Sequence, residues 1–462
     1  MEPKSMEQGT QRETHILCFC FPAQGHINPI LQFSKRLASK GLKVTLVSSS
    51  SSTVSSKFIQ TQATSINIEI ISDDKPDEGQ SRTANLDFFE AYKICVSQSL
   101  SEFIKKQLSS EYPPKFIIYD SIIPWILDIA RGFGMDGAPF FTQPWAVNSI
   151  YYHFLQGQFK IPLEEPIVSL PSMPPLKLND LPSFFDATDA YPTSLNMLVN
   201  QFSNVEKLNW LFCNTFDELE DEIVKWMASK YPVKNIGPSI PSTYIDKRLE
   251  NDKNYGLSLF KPTTDSCLKW LDSKEIGSVV YVSFGSFSAI EKEQLEEVAW
   301  GLKMSNCYFL WAVRESESGK LPRNFSEETS EKGLVVSWCP QLEVLAHKSV
   351  GCFVTHCGWN STLEALSLGV AMVAMPQWTD QTTNAKFVED VWRVGVRVRV
   401  NEKGIVTREE IEVCMREVME GERGKEISRN SEKWKELAKE AIDEGGCSDK
   451  NIEEFVAKLL CS

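Results

Sequence analysis

The chain has 462 residues, 42% of them hydrophobic and 24% charged, which is typical of a globular protein with two domains. Its 62 acidic and 48 basic side chains give a net charge of −14, which argues against nucleic acids and anionic membrane surfaces as partners. The polar N-terminus and the lack of an apolar run of membrane-spanning length predict a cytoplasmic protein without membrane insertion.

The first half of the chain alternates apolar strands with helices. The strand Thr14–Phe21 precedes the loop PAQGHINP, a helix with Pro29 at its start and the strand LKVTLVS, which together form a βαβ unit. A serine-rich loop, Ser48–Ser56, leads to further strands and helices, among them the strand Lys115–Ser121. The segment LFCNTFDELE is predicted to form the last strand of this half.

Two residues of this half can take part in proton transfer. His26 lies in the loop after the first strand and Asp120 ends the segment KFIIYD, so both reach the carboxyl edge of a parallel sheet, where ligands bind. A carboxylate there can orient an imidazole and stabilise the imidazolium once a proton is taken up. Position alone leaves an equal alternative, in which Asp120 caps the following helix and His26 is an ordinary loop residue.

The segment between residues 142 and 241 is rich in aromatic residues and proline, and we interpret it as the wall of a pocket for an apolar ligand. The candidate lining residues are Phe140, Trp145, Tyr151, Phe184, Phe185 and Phe202. Core packing is the alternative, and we expect it to hold for about half of them. We predict a first domain over residues 1–245, a linker over 246–264 and a second domain over 265–462.

Three sequence signatures, one misplaced and two absent, argue against other classes of enzyme. Residues 132–137 fit G-x-G-x-x-G, but they follow a helix-like segment and precede a strand-like one, which is the reverse of a dinucleotide-binding turn. No P-loop and no G-x-S-x-G elbow occurs, which argues against a nucleoside triphosphatase and a serine hydrolase.

The twelve cysteines also allow a test for disulfides or a metal centre. No C-x-x-C pair and no His/Cys cluster at zinc-ligand spacing occurs. Several lie in or beside apolar strands, namely Cys18, Cys20, Cys352 and Cys357. We interpret these as small core residues in a reducing compartment and predict no metal site.

The second half contains the most informative segment, Trp338–Gln381. Its strand, Cys352–Gly358, runs through a glycine turn into a helix, Asn360–Gly369, with Asn or Ser predicted at the N-cap. A helix N-terminus at such a turn offers unpaired N–H groups and a positive dipole end to an anion, and His356 adds a donor. Asp380 and Gln381 follow the next strand and reach the same crevice.

Each residue of this segment also has a purely structural interpretation. Ser361 and Glu364 fit a capping box, in which the carboxylate bonds back to the helix start. Trp338, Trp359 and Trp378 could all be core or interface aromatics, and His356 taken alone could be a core histidine with satisfied hydrogen bonds. The joint spacing of these residues favours a binding site over the separate structural roles.

The whole segment closely resembles the signature of plant family-1 UDP-sugar glycosyltransferases in residues and spacing. The resemblance implies that Trp338 stacks on uracil and that the Cys339 backbone reads the edge of the base. It implies that Gln341 and Glu364 bind the ribose. One departure is Ala371, where the family usually has proline, and it falls on a strand away from these contacts.

The same resemblance implies a diphosphate site at the helix start. His356, Asn360 and Ser361 would hold the diphosphate. Ser286 would lie near the phosphates, and Gly358 belongs to the same donor-binding turn. UDP-glucose is then the co-substrate, and neither a metal nor another cofactor is expected.

The sugar and the catalytic base are also implied by the resemblance. Trp359, Asp380 and Gln381 would face the sugar, and Gln381 favours glucose over galactose. The loop QGHINP and the strand-end aspartate match the family's catalytic base and its partner, which assigns these roles to His26 and Asp120.

The resemblance further implies an α/β architecture of the GT-B type, two Rossmann-like βα domains facing across a cleft, with the last helix packing back on the first domain. We expect a monomer that transfers glucose with inversion to a hydroxyl of a lipophilic molecule, a steroid or triterpenoid alcohol. A glucose ester on a small aromatic acid, such as a hydroxybenzoate, is the alternative. A nucleotide-sugar epimerase, a polysaccharide synthase and a non-catalytic binder of hydrophobic metabolites are the rival classes.

Overall fold

The computed structural model describes residues 14–50, 59–60, 66–73, 88–186, 192–258, 264–286 and 289–461. The polar N-terminal segment up to residue 13, residues 51–56 of the predicted serine-rich loop and residues 259–263 of the predicted linker lie outside the described residues. Within the described part, none of the helices combines the length and the apolar character that a membrane span requires.

The first half of the chain forms a parallel sheet. Its strands in chain order are β1 (His15–Cys20), β2 (Lys43–Ser50), β3 (Ile59–Gln60), β4 (Asn67–Ser72), β5 (Pro114–Asp120), β6 (Asp136–Phe141), β7 (Leu211–Cys213) and β8 (Val233–Asn235). The strand order in this first sheet is β4-β2-β1-β5-β6-β7-β8, and every pair in it is parallel. The separate strand β3 pairs antiparallel with β9 (Leu257–Ser258).

The second half forms a second parallel sheet. Its strands are β10 (Val279–Ser283), β11 (Tyr308–Ala312), β12 (Gly333–Val336), β13 (Val350–Thr355), β14 (Ala371–Ala374) and β15 (Gly395–Arg397). The order is β12-β11-β10-β13-β14-β15. All residues of β1 and β10 are buried, as expected for largely apolar strands covered on both faces.

Helices connect the strands and cover both sheets. They are α1 (Gln24–Ser39), α2 (Phe88–Leu108), α3 (Ile126–Gly132), α4 (Trp145–Leu155), α5 (Pro192–Asn200), α6 (Asp221–Ala228), α7 (Thr264–Asp272), α8 (Lys292–Ser305), α9 (Phe325–Glu328), α10 (Gln341–Leu345), α11 (Trp359–Leu368), α12 (Gln381–Lys386), α13 (Arg408–Met419), α14 (Gly421–Ile442) and α15 (Cys447–Cys461). A π-helical turn, Phe387–Val391, follows α12. The predicted α/β class with two Rossmann-like units is confirmed. The exact domain boundaries stay a prediction.

Each sheet has one place where the strand order reverses. In the first sheet it lies between β1 and β5, and in the second between β10 and β13. Ligands of such sheets bind in the crevice outside the carboxyl ends of the strands at this place. We call the two places the first switch point (the carboxyl ends of β1 and β5) and the second switch point (the carboxyl ends of β10 and β13).

The last helix, α15, lies against the first sheet although it follows the second in sequence. The ring of Phe455 packs 5.4 Å from Phe116 and 4.9 Å from Phe212, measured between ring centroids. Ser448 donates a hydrogen bond to the carbonyl of Gly237 at 2.6 Å. The C-terminus therefore ties the second half of the chain to the first.

Two local predictions for the first half are wrong. The segment around β7 is not the last strand, because β8 follows it; β8 has three residues, too few to show a strand pattern in the sequence. The first helix begins at Gln24 and not at Pro29, so His26 lies in the first turn of α1 rather than in a loop. Proline is tolerated at the sixth position of the helix. It has no N–H to bond the carbonyl four residues earlier, and that carbonyl accepts a hydrogen bond from another donor instead.

Candidate active site

His26 and Asp120 meet at the first switch point. Asp120 is the last residue of β5 and is fully buried, and its Oδ2 lies 2.6 Å from Nδ1 of His26. The same carboxylate accepts longer contacts of 3.4 Å from the backbone N–H groups of Phe21 and Ile122. The imidazole is 25% exposed, so its Nε2 edge is the one left to face the crevice.

Charge decides the protonation of this histidine. Burial lowers the pKa of His26, but the charge of Asp120, the hydrogen bond to it and the charge of Asp380 together raise that pKa above its ordinary value. A carboxylate that fixes Nδ1 and stabilises the imidazolium makes Nε2 a better proton acceptor. This geometry can support proton transfer, and the role of His26 as a base stays a prediction.

The second switch point places a histidine between two glycines. The imidazole of His356 lies so close that a Cβ on Gly285 would come within 2.7 Å of Nε2, and one on Gly358 within 2.5 Å. Gly285 has a φ of +75°, which also favours glycine. Burial, helped by the charge of Arg314 and opposed by the backbone of Ser283, lowers the pKa of His356 to about 4. This imidazole is therefore neutral at pH 7.

Arg314 is a residue that the sequence analysis missed. It follows β11, and its Nη1 donates to the carbonyl of Ser286 at 3.0 Å while Nη2 lies 3.2 Å from Glu317. The guanidinium thus fixes the turn after β10 and brings positive charge towards His356. The basic residue that ends the predicted strand YFLWAVR was the available signal.

The helix after β13 begins earlier than predicted. Gly358 is the N-cap of α11, so Asn360 and Ser361 lie inside its first turn and not at the cap. The alternative capping box does not form, because Glu364 bonds Gln341 and Tyr255 instead of the helix start. The first-turn N–H groups of α11 lack partners within the helix and point towards the crevice.

Glu364 is the centre of a buried hydrogen-bond network. Nε2 of Gln341 donates to Oε2 of Glu364 at 2.7 Å and to Oγ of Ser361 at 2.9 Å. The Gln341 carbonyl accepts from the hydroxyl of Tyr281 at 3.1 Å, and Tyr255 donates to Oε1 of Glu364 at 2.8 Å. The structure thereby brings the two predicted ribose-binding residues, Gln341 and Glu364, into direct contact.

The two residues predicted to read the base lie just before this network. Cys339 is buried, and its Sγ lies 3.3 Å from the Tyr281 hydroxyl. Trp338 is half-buried in the segment between β12 and α10. Their predicted contacts to a base stay a prediction.

Asn360 connects the two switch points. Its Nδ2 donates to the carbonyl of Gly25 at 2.8 Å, the residue beside the candidate base. That carbonyl is available because the residue four positions on is Pro29, which has no N–H to return the helical bond. The contact explains how α1 accommodates an internal proline, and it puts the predicted diphosphate site next to His26.

Trp359 lies in the contact between the two halves of the molecule. Its indole N–H donates to the carbonyl of Asn214 at 2.7 Å, and its ring packs 5.9 Å from Trp392. The side chain is buried, with 4% of its surface exposed. Its predicted sugar contact stays a prediction, and the structure gives it this additional interface role.

Asp380 and Gln381 are both buried beyond β14. The carboxylate of Asp380 accepts from Thr379 and Asn384, both at 2.6 Å, and it makes no cap bond to α12. The amide carbonyl of Gln381 accepts from the backbone N–H groups of Gln377 at 2.9 Å and Trp378 at 3.1 Å. This leaves the NH₂ group of Gln381, a donor, for a ligand.

The six candidate pocket aromatics separate into two groups. Phe140, Trp145 and Phe202 are buried against other core side chains, and the Trp145 N–H donates to Asn235 at 2.8 Å. Phe184, Phe185 and Tyr151 are buried in the same core, and of these Phe184 also contacts the second half of the chain. Phe184 packs 5.9 Å from Trp378, and Tyr151, whose buried hydroxyl has no partner in the described part of the chain, packs 5.8 Å from Phe185.

A second aromatic group beside His26 was missed in the sequence. Phe21 packs edge-on against the imidazole at 5.6 Å between centroids, and Phe89 and Tyr92 lie 6.5 Å and 5.4 Å from Phe21. Trp125 continues the row at 6.5 Å from Tyr92. Because Phe21, Phe89 and Trp125 are partly exposed, they form an accessible apolar wall next to the candidate base.

Comparisons with known proteins agree with this geometry. The family described as UDP-glucuronosyl and UDP-glucosyl transferase matches residues 257–440, and a glycosyltransferase N-terminal domain matches residues 13–230. A mogroside I-E synthase of Siraitia grosvenorii is 56% identical over 98% of this chain and 99% of its own. UDP-glycosyltransferase 74E2 of Arabidopsis thaliana is 53% identical over 97% and 99%.

Solved structures show the same architecture. The crystal structure of Os79 from O. sativa in complex with UDP is 38% identical, has a TM-score of 0.87 and aligns over 96% of this chain and 100% of its own. A structure of Phytolacca americana UGT2 with UDP-2-fluoro-glucose and pterostilbene is 26% identical, with a TM-score of 0.80 over 96% and 99%. Both complexes contain a uridine diphosphate group within this fold.

Proposed function

Because the chain belongs to the family of UDP-glucuronosyl and UDP-glucosyl transferases, we propose that it transfers glucose from UDP-glucose to a hydroxyl of a steroid or triterpenoid alcohol, with inversion. At the coarser level it is a UDP-glucosyltransferase that acts on small molecules. The observation that carries the proposal is the 2.6 Å contact between His26 and Asp120 at the first switch point.

The reaction uses His26 as a general base. Nε2 takes the proton of the acceptor hydroxyl as the acceptor oxygen forms a bond to the anomeric carbon of the glucose. The bond between that carbon and the diphosphate oxygen breaks, the electron pair leaves with UDP, and attack from the opposite face inverts the configuration. Asp120 keeps Nδ1 protonated and stabilises the imidazolium that forms.

The leaving group is held at the second switch point. N–H groups in the first turn of α11, together with Asn360, Ser361 and the neutral donor His356, stabilise charge that develops on the diphosphate. Glu364 and Gln341 take the ribose. The charge of Arg314 behind this site adds positive field, so the proposal includes no metal ion.

The acceptor class is supported by the aromatic surroundings of His26 and by one relative. Phe21, Phe89 and Trp125 present an accessible apolar wall beside the base, which suits a large lipophilic acceptor. The 56% identical mogroside I-E synthase favours a triterpenoid over a small aromatic acid.

A mass-spectrometric screen tests this proposal. The protein is incubated with UDP-glucose and a library of steroid alcohols, triterpenoid alcohols and hydroxybenzoic acids, and products that gain one hexosyl unit are sought. We expect O-glucosides of polycyclic alcohols with the β configuration by NMR. Glucose esters of the acids alone would overturn the acceptor class, and an α-glucoside would overturn inversion.

A further inference from the structure

The linker between the two halves contributes a side chain to the donor site. Tyr255 lies within it, two residues before β9, and its hydroxyl donates to Oε1 of Glu364 at 2.8 Å across 109 positions of sequence. We propose that Tyr255 is a positioning residue that holds the Glu364 carboxylate oriented and ionised for the ribose hydroxyls of UDP-glucose. The inference rests on the proposed function, because the ribose role of Glu364 belongs to it.

The geometry leaves room for a ribose on Glu364. Each carboxylate oxygen accepts one protein hydrogen bond, from Tyr255 on Oε1 and from Gln341 on Oε2. An ionised carboxylate has about four acceptor positions, so two remain for two hydroxyl donors. A protonated carboxyl group would instead present an O–H donor and lose part of this capacity.

The environment makes ionisation of Glu364 depend on these two donors. The pKa of Glu364 is raised to about 7 because burial raises it by more than the hydrogen bonds from Gln341 and Tyr255 lower it. The titratable neighbours are the phenols of Tyr244, Tyr255 and Tyr281, and burial raises the pKa of all three. None of these phenols loses its proton near neutral pH, so Tyr255 remains a donor wherever the carboxylate titrates.

The linker is fixed so that Tyr255 stays in place. The buried side chain of Asp252 accepts from Nζ of Lys35 at 2.7 Å and from the backbone N–H of Ser242 at 2.7 Å. The same Nζ of Lys35 donates to the carbonyl of Asn254 at 2.8 Å, directly before Tyr255. Because Lys35 belongs to α1, the helix that carries the candidate base also anchors the residue that holds the ribose carboxylate.

The test is Tyr255→Phe, which keeps the ring and removes only the hydroxyl. Tyr244→Phe is the matched control, since Tyr244 lies in the same segment near Glu364 but makes no hydrogen bond to it in the described part of the chain. We expect Tyr255→Phe to raise KM for UDP-glucose about tenfold, as for the loss of a hydrogen bond to a charged group. We expect kcat and the acceptor KM to change less than about twofold, and the control to resemble the wild type.

A pH series separates positioning from a general packing defect. UDP affinity is measured by calorimetry between about pH 6 and about pH 9, a range that spans the expected titration of Glu364. Loss of the hydroxyl raises the pKa of Glu364, so the ratio of variant to wild-type Kd should approach one at high pH, rise as the pH falls and level off below the wild-type pKa of about 7. Titration of UDP itself affects the Kd of the variant and of the wild type equally, so it cancels in that ratio.

Glu364→Gln completes the design, because it separates this inference from the proposed function. A wild type that transfers no glucose to any acceptor refutes the proposed function, while UDP affinity still tests Tyr255. If Glu364→Gln binds UDP like the wild type, the ribose assignment fails and this inference fails with it. If Glu364→Gln weakens UDP but Tyr255→Phe does not, or does so equally at every pH, Tyr255 has no positioning role.

Discussion

The two switch points of the molecule carry the same type of residue under opposite electrostatic control. His26 follows β1 and His356 follows β13, each at the carboxyl end of its sheet. At the first, the charge of Asp120 raises the histidine pKa against the effect of burial. At the second, burial and the charge of Arg314 lower it to about 4. Neighbouring negative charge therefore outweighs burial at His26, whereas burial dominates at His356, although the two strand ends are arranged alike.

This difference fits a division of labour across the crevice. A histidine with a raised pKa and a fixed Nδ1 can take up a proton and keep it through the reaction. A histidine that stays neutral can donate a hydrogen bond to an anion without ever storing a proton. The Asn360–Gly25 contact places these two functions side by side.

The largest effect is expected for His26→Ala. Removal of the base should lower kcat on an alcohol acceptor by roughly 10²–10⁴ while UDP affinity stays unchanged. A carboxylate acceptor, already ionised at pH 7, should lose much less. Steady-state kinetics with both acceptor types and calorimetry with UDP measure this contrast.

His347→Ala is the matched control, since His347 bonds Ser349 and Asp272 outside the crevice and should leave kcat unaltered. Wild-type turnover of an alcohol by His26→Ala would contradict the assignment of the base. Equal losses for alcohol and carboxylate acceptors would point to a structural role of His26.

Asp120→Asn tests the charge that distinguishes the two histidines. The negative charge of Asp120 raises the pKa of His26, so its removal should lower that pKa. The base then stays unprotonated at lower pH, and the acidic limb of the pH profile of kcat should move to lower pH. The plateau rate should fall by about 10² through loss of imidazolium stabilisation. A limb that stays in place would show that a group other than His26 sets it.

The sequence predicted the first switch point well for a physical reason. Strand ends in a parallel sheet converge on one edge, so His26 and Asp120 could both be placed at that edge, and the family resemblance then favoured their pairing over a capping role of Asp120. The start of α1 could not be predicted from Pro29. An internal proline is acceptable here only because Asn360, 335 positions away, takes the carbonyl that the proline leaves free.

The second switch point was predicted less well in its details. Asn360 and Ser361 are better N-cap residues than glycine, yet Gly358 caps α11 because any side chain there would collide with His356. The contribution of Tyr255 to Glu364 has no local signal, since only the path of the linker brings the two together. Propensity and spacing describe neighbours in sequence, and these contacts join residues far apart.

A smaller effect is expected at Gln381, on the choice of sugar. The carbonyl of its amide is occupied by two backbone N–H groups, which leaves the NH₂ group to donate to a sugar hydroxyl. An inverted hydroxyl, as in galactose, would leave a buried polar group unpaired, which costs about 1–3 kcal/mol. This cost corresponds to a preference for UDP-glucose of roughly tenfold to hundredfold in kcat/KM.

Gln381→His should reduce this preference, measured as the ratio of kcat/KM for UDP-glucose and UDP-galactose. Because the substitution also frees the N–H groups of Gln377 and Trp378, thermal unfolding should be recorded beside the kinetics. Gln381→Glu keeps a carbonyl-type acceptor for those N–H groups but loses the amide donor, and it serves as the comparison. An unchanged ratio in both variants would mean that Gln381 does not read the sugar.

The smallest effect, no change at all, is expected on removal of divalent cations. In the described part of the chain no group of three or more His, Cys, Asp or Glu side chains is arranged to hold a metal ion. The second switch point offers instead the N-terminus of α11, the neutral donor His356 and the nearby charge of Arg314, which together can balance a leaving diphosphate. Full turnover after exhaustive chelation is therefore expected. Arg314→Gln, in contrast, should raise KM for UDP-glucose several-fold, because it removes one positive charge whose effect is partly screened by solvent. Strict dependence on added magnesium or manganese would mean that the helix terminus and the arginine do not supply the positive field, and that the second switch point works as a metal-assisted site.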